Sequence, residues 1–481
     1  MSRIPNPLRS LVLAVGLLLS RFGLVTERRA RRITDLSWPR ILTGLARMSK
    51  SAVDVAMVGI ALGPAAIAGV GFASPYWGLA FSLGGGMAAG TIALVSQRYG
   101  ADAHEELGQA VRSSALVVVA VSLPVALAFL TVPEQLVGIV SDDPVAIGYG
   151  ADYLRVVAFG VPFAGLNLVA SRVYIGADDA WTPMVLRAGG AVANIAINAV
   201  LIFGFDMGVV GAATGTVVSN AVVAVAFSGG LVAGRLPGVG DLPVRIDPRG
   251  PYLDGEEIRQ LVRIGAPVVG RNLVWTVAEF PMLAIVDVFG RDTVAAFVVS
   301  RRIWGLMNTP GWGFGLASSS LVGQHLGTDD ETTAEAYGRE IITFAVATYV
   351  ISAALVLAFA RPIVVAFVGD PTAGSVDPAV ALVRAACVAV VLQGVSGGAA
   401  GALDASGDTQ WPFFSQAVGM FGVSIPLAYL GATTSLGFLG LQLAFLAETG
   451  VPAALNYHRF RTGKWKAVSR GYRPDAAVGG D

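Results

Sequence analysis

Apolar runs of about 20 residues recur from one end of this chain to the other, each long enough to cross roughly 30 Å of hydrocarbon as a helix. Inside lipid every backbone N–H and C=O must find its partner within the protein, so repeated spans of this length predict an all-helical membrane protein. Composition agrees. Of the 481 residues, 54% are hydrophobic and only 14% charged, whereas a soluble domain carries about a quarter charged residues. The 60 glycines suit helices that approach closely. The formal net charge is zero, so no global field points to nucleic acid. The single cysteine, Cys387, lies in an apolar run and reads as packing. His104, His325 and His458 are far apart in polar connections, so no metal site is expected.

With Gly, Pro and charge as punctuation, the spans fall at roughly 40–63, 66–97, 110–133, 148–176, 183–204 and 207–234, then 259–289, 293–325, 336–368, 378–403, 410–431 and 436–458. That predicts about twelve transmembrane helices in two six-helix bundles. The expected organisation is an N-terminal segment 1–39, a first lobe 40–235, a Pro- and Gly-rich linker 236–258, a second lobe 259–458 and a tail 459–481, disordered at its end. Residues 11–25 are too short to span and are interrupted by Arg21, so an interfacial amphipathic helix is expected there. Arginines cluster before the first span, in alternate connections (Arg98 and Arg112, Arg172 and Arg187, Arg245 to Arg263) and in the tail. Most of the intervening connections contain no Lys or Arg. Both termini are therefore expected on the cytoplasmic side.

The chain also repeats itself. At an offset of 227, Trp77, Gly78, Leu79, Gln97, Gly100 and Asp102 meet Trp304, Gly305, Leu306, Gln324, Gly327 and Asp329 without a gap. At 230, Asp178 and Trp181 meet Asp408 and Trp411. Six helices is an even number, so the halves share one orientation and are parallel repeats about an axis along the membrane normal. Such a duplication suits two bundles rocking about a central cavity.

A charge at bilayer depth costs roughly 2.5–3.5 kcal/mol on insertion scales and is a functional candidate by default. Asp54, mid-helix in SAVDVAMVGIALG, is the foremost one. Its bland reading is an ion pair with Lys50 one turn earlier, or with Arg47 before that. Asn194 and Asn198 share one face of the fifth span; Thr214, Thr216 and Ser219 stud the sixth. Each alone reads as interhelical hydrogen-bonding glue; with Asp54 they form a candidate polar cluster in the first half. In the second half Glu279 is a secondary candidate: the repeat offset carries it to position 52, two residues from Asp54. No nucleophile motif, metal spacing or P-loop is present, so neither an enzyme nor direct ATP drive is supported. An ion gradient remains as the energy source.

The segments DVAMVGIALGPAAIAGVG, LVSQRYGA, YIGADDAWTPM and NIAINAVLIFGFDMGVVGAATGT, followed by IGAPVV, FGRDTVAAF, SSSLVGQHLG and GALDASGDTQWPF, stand in an order and spacing that resembles the multidrug and toxic compound extrusion (MATE) family. The likeness runs from about Asp35 to Tyr457 and is greatest to its DinF-like, archaeal branch. It implies a secondary active antiporter in the plasma membrane, monomeric and without cofactor, that exports a cationic or neutral organic amphiphile against H+ or Na+. By the resemblance, Asp54, Asn194 and Thr216 fall on the branch's coupling positions. Asn198 stands where the branch has a second aspartate, and an amide cannot exchange a proton. The coupling carboxylates of the NorM-like branch fall here on Trp275 and Gln393, so a second-half scheme requires Glu279 to substitute. The alternatives are a lipid-linked-precursor flippase of the same wider group, to which Arg271, Arg301 and Arg302 lend support, and a non-transport receptor or scaffold.

Overall fold

The computed structural model describes residues 6–474; the last residues of the tail, expected to be disordered, lie outside them. The chain is almost entirely helical. It opens with α1 (Pro7–Arg21), α2 (Glu27–Leu62), α3 (Pro64–Gly100), α4 (His104–Thr131) and the short α5 (Pro133–Gly138). Next come α6 (Pro144–Val157) and α7 (Val161–Gly176), one rod with a tightened turn between them, then α8 (Trp181–Ala199) and α9 (Gly208–Ala233). The second half contains α10 (Gly255–Asp287), α11 (Arg291–Gly327), α12 (Glu331–Ala358), α13 (Ala360–Val368) and α14 (Val376–Ala405). It ends with α15 (Gln410–Ala417), α16 (Ile425–Thr433), α17 (Phe438–Arg461) and α18 (Lys464–Ser469).

Among the described residues ten helices are long and apolar enough to span a membrane. Two expected spans miss that threshold for physical reasons. The apolar end of α2 contains Arg47, Lys50 and Asp54, and the middle of α11 is rich in Gly, Ser, Asn and Trp. With these two the count is the expected twelve, and the chain is an all-α, multi-pass membrane protein.

Two compact units emerge: Leu42–Val269, and Met1–Ile41 together with Gly270–Asp481. The borders lie inside α2 and α10 and not in the connections, so residues 1–41 group with the second half, and residues 255–269 with the first. In the second unit α1, capped by the Asn6 carboxamide, docks on α12 through Gly16, where a Cβ would meet the Phe344 ring. At 15 residues it reaches about 22 Å, short of a span. The start of α2 is tied to α11 and α12 by Arg29 to Glu340 (2.6 Å) and Arg32 to Gln324 (2.9 Å). The tail is ordered through Arg473, with Trp465 fully buried and Arg470 paired to Glu331.

In the first unit the segment expected as a linker is pinned rather than loose. It forms a two-residue ribbon, Arg235–Leu236 with Gly240–Asp241. The Arg112 guanidinium then donates to the carbonyls of Asp247 and Pro251, both at 3.0 Å. Arg98 forks onto Glu257 at 2.6 and 2.7 Å, both side chains buried.

The backbone repeats with the sequence. Gly63 and Gly290 both precede a long helix at positive φ (83° and 93°), and Asp102 and Asp329 both turn at φ 60°, a conformation Asp tolerates better than most side chains. In the later turns the register is 229 rather than 230. Asp179 N–H donates to Tyr174 O as Asp408 N–H does to Leu403 O. Trp181 therefore aligns with Gln410, and the tryptophan match slips by one residue. Each half also contains one widened π-type segment, Val200–Gly204 after α8 and Val418–Ser424 after α15.

Candidate functional site

The first unit gathers the four predicted coupling residues. Asp54 sits on α2 with its carboxylate held on both oxygens. Asn198 on α8 donates its amide to Oδ1 at 2.9 Å, and Lys50, one turn back on α2, pairs with Oδ2 at 2.8 Å. The ion pair with Lys50, weighed as the bland reading of Asp54, therefore forms; the Arg47 guanidinium lies over the Phe81 ring. Asp54 is only 19% exposed.

Behind the carboxylate a chain of amides and hydroxyls runs inward. Asn198 Nδ2 also reaches Asn194 Oδ1 (3.3 Å). Asn194 Nδ2 donates to Thr216 Oγ1 (3.4 Å) and Ser219 Oγ (3.2 Å) on α9. Both asparagines are fully buried. Their spacing of four residues puts both carboxamides on one face of α8, one turn before the π-type segment that opens that helix. Such segments recur at functional sites. Thr214, by contrast, bonds only its own helix, to Val210 O.

One amide oxygen of this hydrogen-bonded row is unsatisfied. Asn198 Oδ1 is buried and accepts no hydrogen bond. It lies against Gly215 of α9, where any Cβ would overlap it; glycine is what admits the amide. A buried acceptor without a donor is costly, and carbonyl, carboxylate and hydroxyl oxygens are the partner types that a proton or a hard cation takes. Sequence reading missed three participants. Tyr153 on α6 lies near Thr216 and within electrostatic reach of Asp54, Gly215 supplies the clearance, and Asn167 of α7 ties to Asn220 (3.0 Å) beside the cluster. None of the three has a local sequence signal.

Glu279 does not join them. It belongs to the other compact unit, on an exposed stretch of α10 beside Val277 and Phe280, and has no hydrogen-bond or ion-pair partner among the described residues. The second unit instead places its charges in pairs. Arg301 of α11 forks onto Glu448 of α17 at 2.6 and 2.7 Å, with Glu448 1% exposed. Arg271 of α10 forks onto Asp404 at 3.1 and 2.8 Å. Trp275 of α10 stacks on Trp304 of α11.

Twelve spans in two repeated halves, with a charged and hydrogen-bonded cluster inside one of them, have the architecture of a duplicated membrane transporter. The MatE family model matches twice, over residues 39–200 and 267–430. The chain belongs to that family, whose members are transporters. A probable multidrug resistance protein YoeA from Bacillus subtilis (strain 168) is 24% identical over 94% of this chain and 99% of its own length. A multidrug resistance protein PmpM from Pseudomonas aeruginosa is 26% identical, each chain covered to 86%. Among solved structures, a MATE in its bent conformation superposes with a TM-score of 0.83 at 21% identity, covering 98% of this chain and 100% of that one.

Proposed function

We propose that this protein is a cation-coupled antiporter of the plasma membrane that exports organic amphiphiles, with Asp54 as the coupling group and both termini in the cytoplasm. The relatives named as multidrug resistance proteins support the efflux half of this reading. The observation that carries the coupling half is the Asp54 carboxylate clamped between the Lys50 ammonium and the buried Asn198 amide. A proton or Na+ arriving at Asp54 cancels the charge that holds Lys50. A protonated carboxyl also becomes a donor, and Asn198, which faces it through Nδ2, has a buried acceptor, Oδ1, with no partner. Loading thus exchanges one set of bonds between α2 and α8 for another. That exchange is the differential free energy by which an ion biases two conformations of a transporter. Asn198, although an amide where the DinF-like branch has a second aspartate, keeps a role as acceptor and ligand.

The flippase alternative leaned on Arg271, Arg301 and Arg302. The first two are closed by Asp404 and Glu448, which weakens that support. The discriminating experiment is efflux from proteoliposomes driven separately by a proton gradient and by a sodium gradient. One of them drives efflux on this reading. Transport indifferent to both, or undiminished in Asp54→Asn, contradicts it.

A further inference from the structure

The coupling cluster holds a carboxylate and, bonded directly to it, an ammonium. The side chains of the hydrogen-bonded row behind Asp54, those of Asn198, Asn194, Thr216 and Ser219, are all neutral. Charge balance at Asp54 Oδ2 therefore falls to the Lys50 Nζ, 2.8 Å away and one turn earlier on α2. The pair belongs to the first half alone. At the repeat offset of 227 the second half has Val277 and Pro281 in the places of Lys50 and Asp54.

The two partners differ in freedom. Asp54 has a short side chain, and its other oxygen accepts the amide of Asn198 at 2.9 Å, a residue that is itself fully buried. Lys50 carries its ammonium on a flexible four-carbon stem, which can bring the charge to the nearest water. Lysine before the acid at i, i+4 is also the weaker orientation on a helix, so the contact is easy to release. An ion that reaches Asp54 thus displaces an ammonium that has somewhere to go, and the ammonium returns when the ion leaves. The carboxylate has no such retreat. Without Lys50 the ion-free site would hold a bare charge at bilayer depth, which is the costly state. An antiporter changes conformation in that ion-free state once per cycle, with substrate bound.

We propose that Lys50 is a tethered substitute for the coupling ion: its ammonium neutralises Asp54 while the substrate-loaded, ion-free protein changes conformation, and it yields the carboxylate to the incoming ion. The inference rests on the reading of Asp54 as the coupling group. It adds a positioning residue that acts through Asp54 alone.

The test is ethidium counterflow in proteoliposomes containing the full-length protein, with ion concentrations equal on both sides so that exchange runs through the ion-free half of the cycle. Lys50→Gln keeps a hydrogen-bond donor for the carboxylate and removes the charge. It should lower the maximal rate roughly ten- to a hundred-fold, the ratio by which a bare carboxylate at bilayer depth is disfavoured once its partial exposure is allowed for. The half-saturating ethidium concentration should stay at the wild-type value. The double variant Lys50→Gln, Asp54→Asn removes both charges and should exchange as fast as Asp54→Asn, and a thermal melt of each variant separates slow exchange from lost protein. Counterflow of Lys50→Gln at the wild-type rate overturns the proposal. So does a double variant about ten-fold slower than Asp54→Asn, a comparison that decides alone if Lys50→Gln fails to fold. Gradient-driven efflux retained in Asp54→Asn would remove the coupling reading itself; normal counterflow in Lys50→Gln, with that efflux lost in Asp54→Asn, removes only the role of Lys50.

Discussion

Replacing Arg301 by Met should destabilise the protein by about 3–5 kcal/mol, the loss typical of a buried pair stripped of one partner. The figure follows from the geometry. Glu448 is 1% exposed and both its oxygens are bonded by the guanidinium at 2.6 and 2.7 Å, so the variant strands a carboxylate at membrane depth. Arg301 also lies 5.1 Å from the Phe297 ring centroid and 4.7 Å from that of Phe445, contacts of roughly 0.5–2 kcal/mol that methionine recovers only in part. Because Arg301 is 19% exposed, water can reach the site and the lower half of the range is expected. The double variant Arg301→Met, Glu448→Met removes the stranded charge as well as the pair, and should return to within about 1–2 kcal/mol of wild type. Equilibrium unfolding in mixed micelles, run as a double-mutant cycle, reads the coupling directly. A single variant as stable as wild type, or a double variant no better than the singles, would refute the argument that this pair is a closed structural unit.

Further consequences can be checked in the same preparations. Gly215→Ala places a methyl where Asn198 Oδ1 sits, so it should abolish gradient-driven efflux with little loss of folded protein; full efflux would show that the amide can move without consequence. Asn198→Asp puts a second carboxylate beside Asp54, and since two like charges in contact do not both ionise readily, the pH profile of efflux should move to higher pH; an unchanged profile would speak against contact between the two groups in the working protein. Asp330 caps α12 through the Thr333 backbone N–H, and bonds from Thr333 hold its carboxyl below the usual range. Its folded pKa is depressed, so its stabilisation is present above the unfolded value near 3.9 and fades as pH falls through the folded value. Asp330→Ala should thus cost about 1 kcal/mol at neutral pH, a deficit that shrinks in acid; thermal melts at both pH values test it.

Much of this architecture was legible because it is written in local patterns. Hydropathy marks spans one at a time, the duplicated tryptophans and turn residues mark the repeat, and an i, i+4 pair of asparagines marks a single helix face. Asp54 stood out because a carboxylate in an apolar run is expensive. What stayed hidden depends on partners distant in sequence. Arg301 and Glu448 are 147 residues apart, and nothing near either names the other, so Arg301 read as support for a flippase. The start of α2 at Glu27 rather than near residue 40 has the same origin. Its charged face is helical because Arg29 and Arg32 meet Glu340 and Gln324 of the second half, which also moves residues 1–41 out of the lobe they precede. Glu279 illustrates another limit: it is exposed on α10, and sequence distance says nothing about which side of a helix faces the protein.

The central claim is that Asp54 couples ion entry to substrate exit. Substrate efflux and substrate counterflow, measured side by side in proteoliposomes containing wild type or Asp54→Asn, test it most directly. The account predicts that gradient-driven efflux is lost in the variant while counterflow, which needs no ion gradient, continues. Efflux in Asp54→Asn equal to wild type would contradict it.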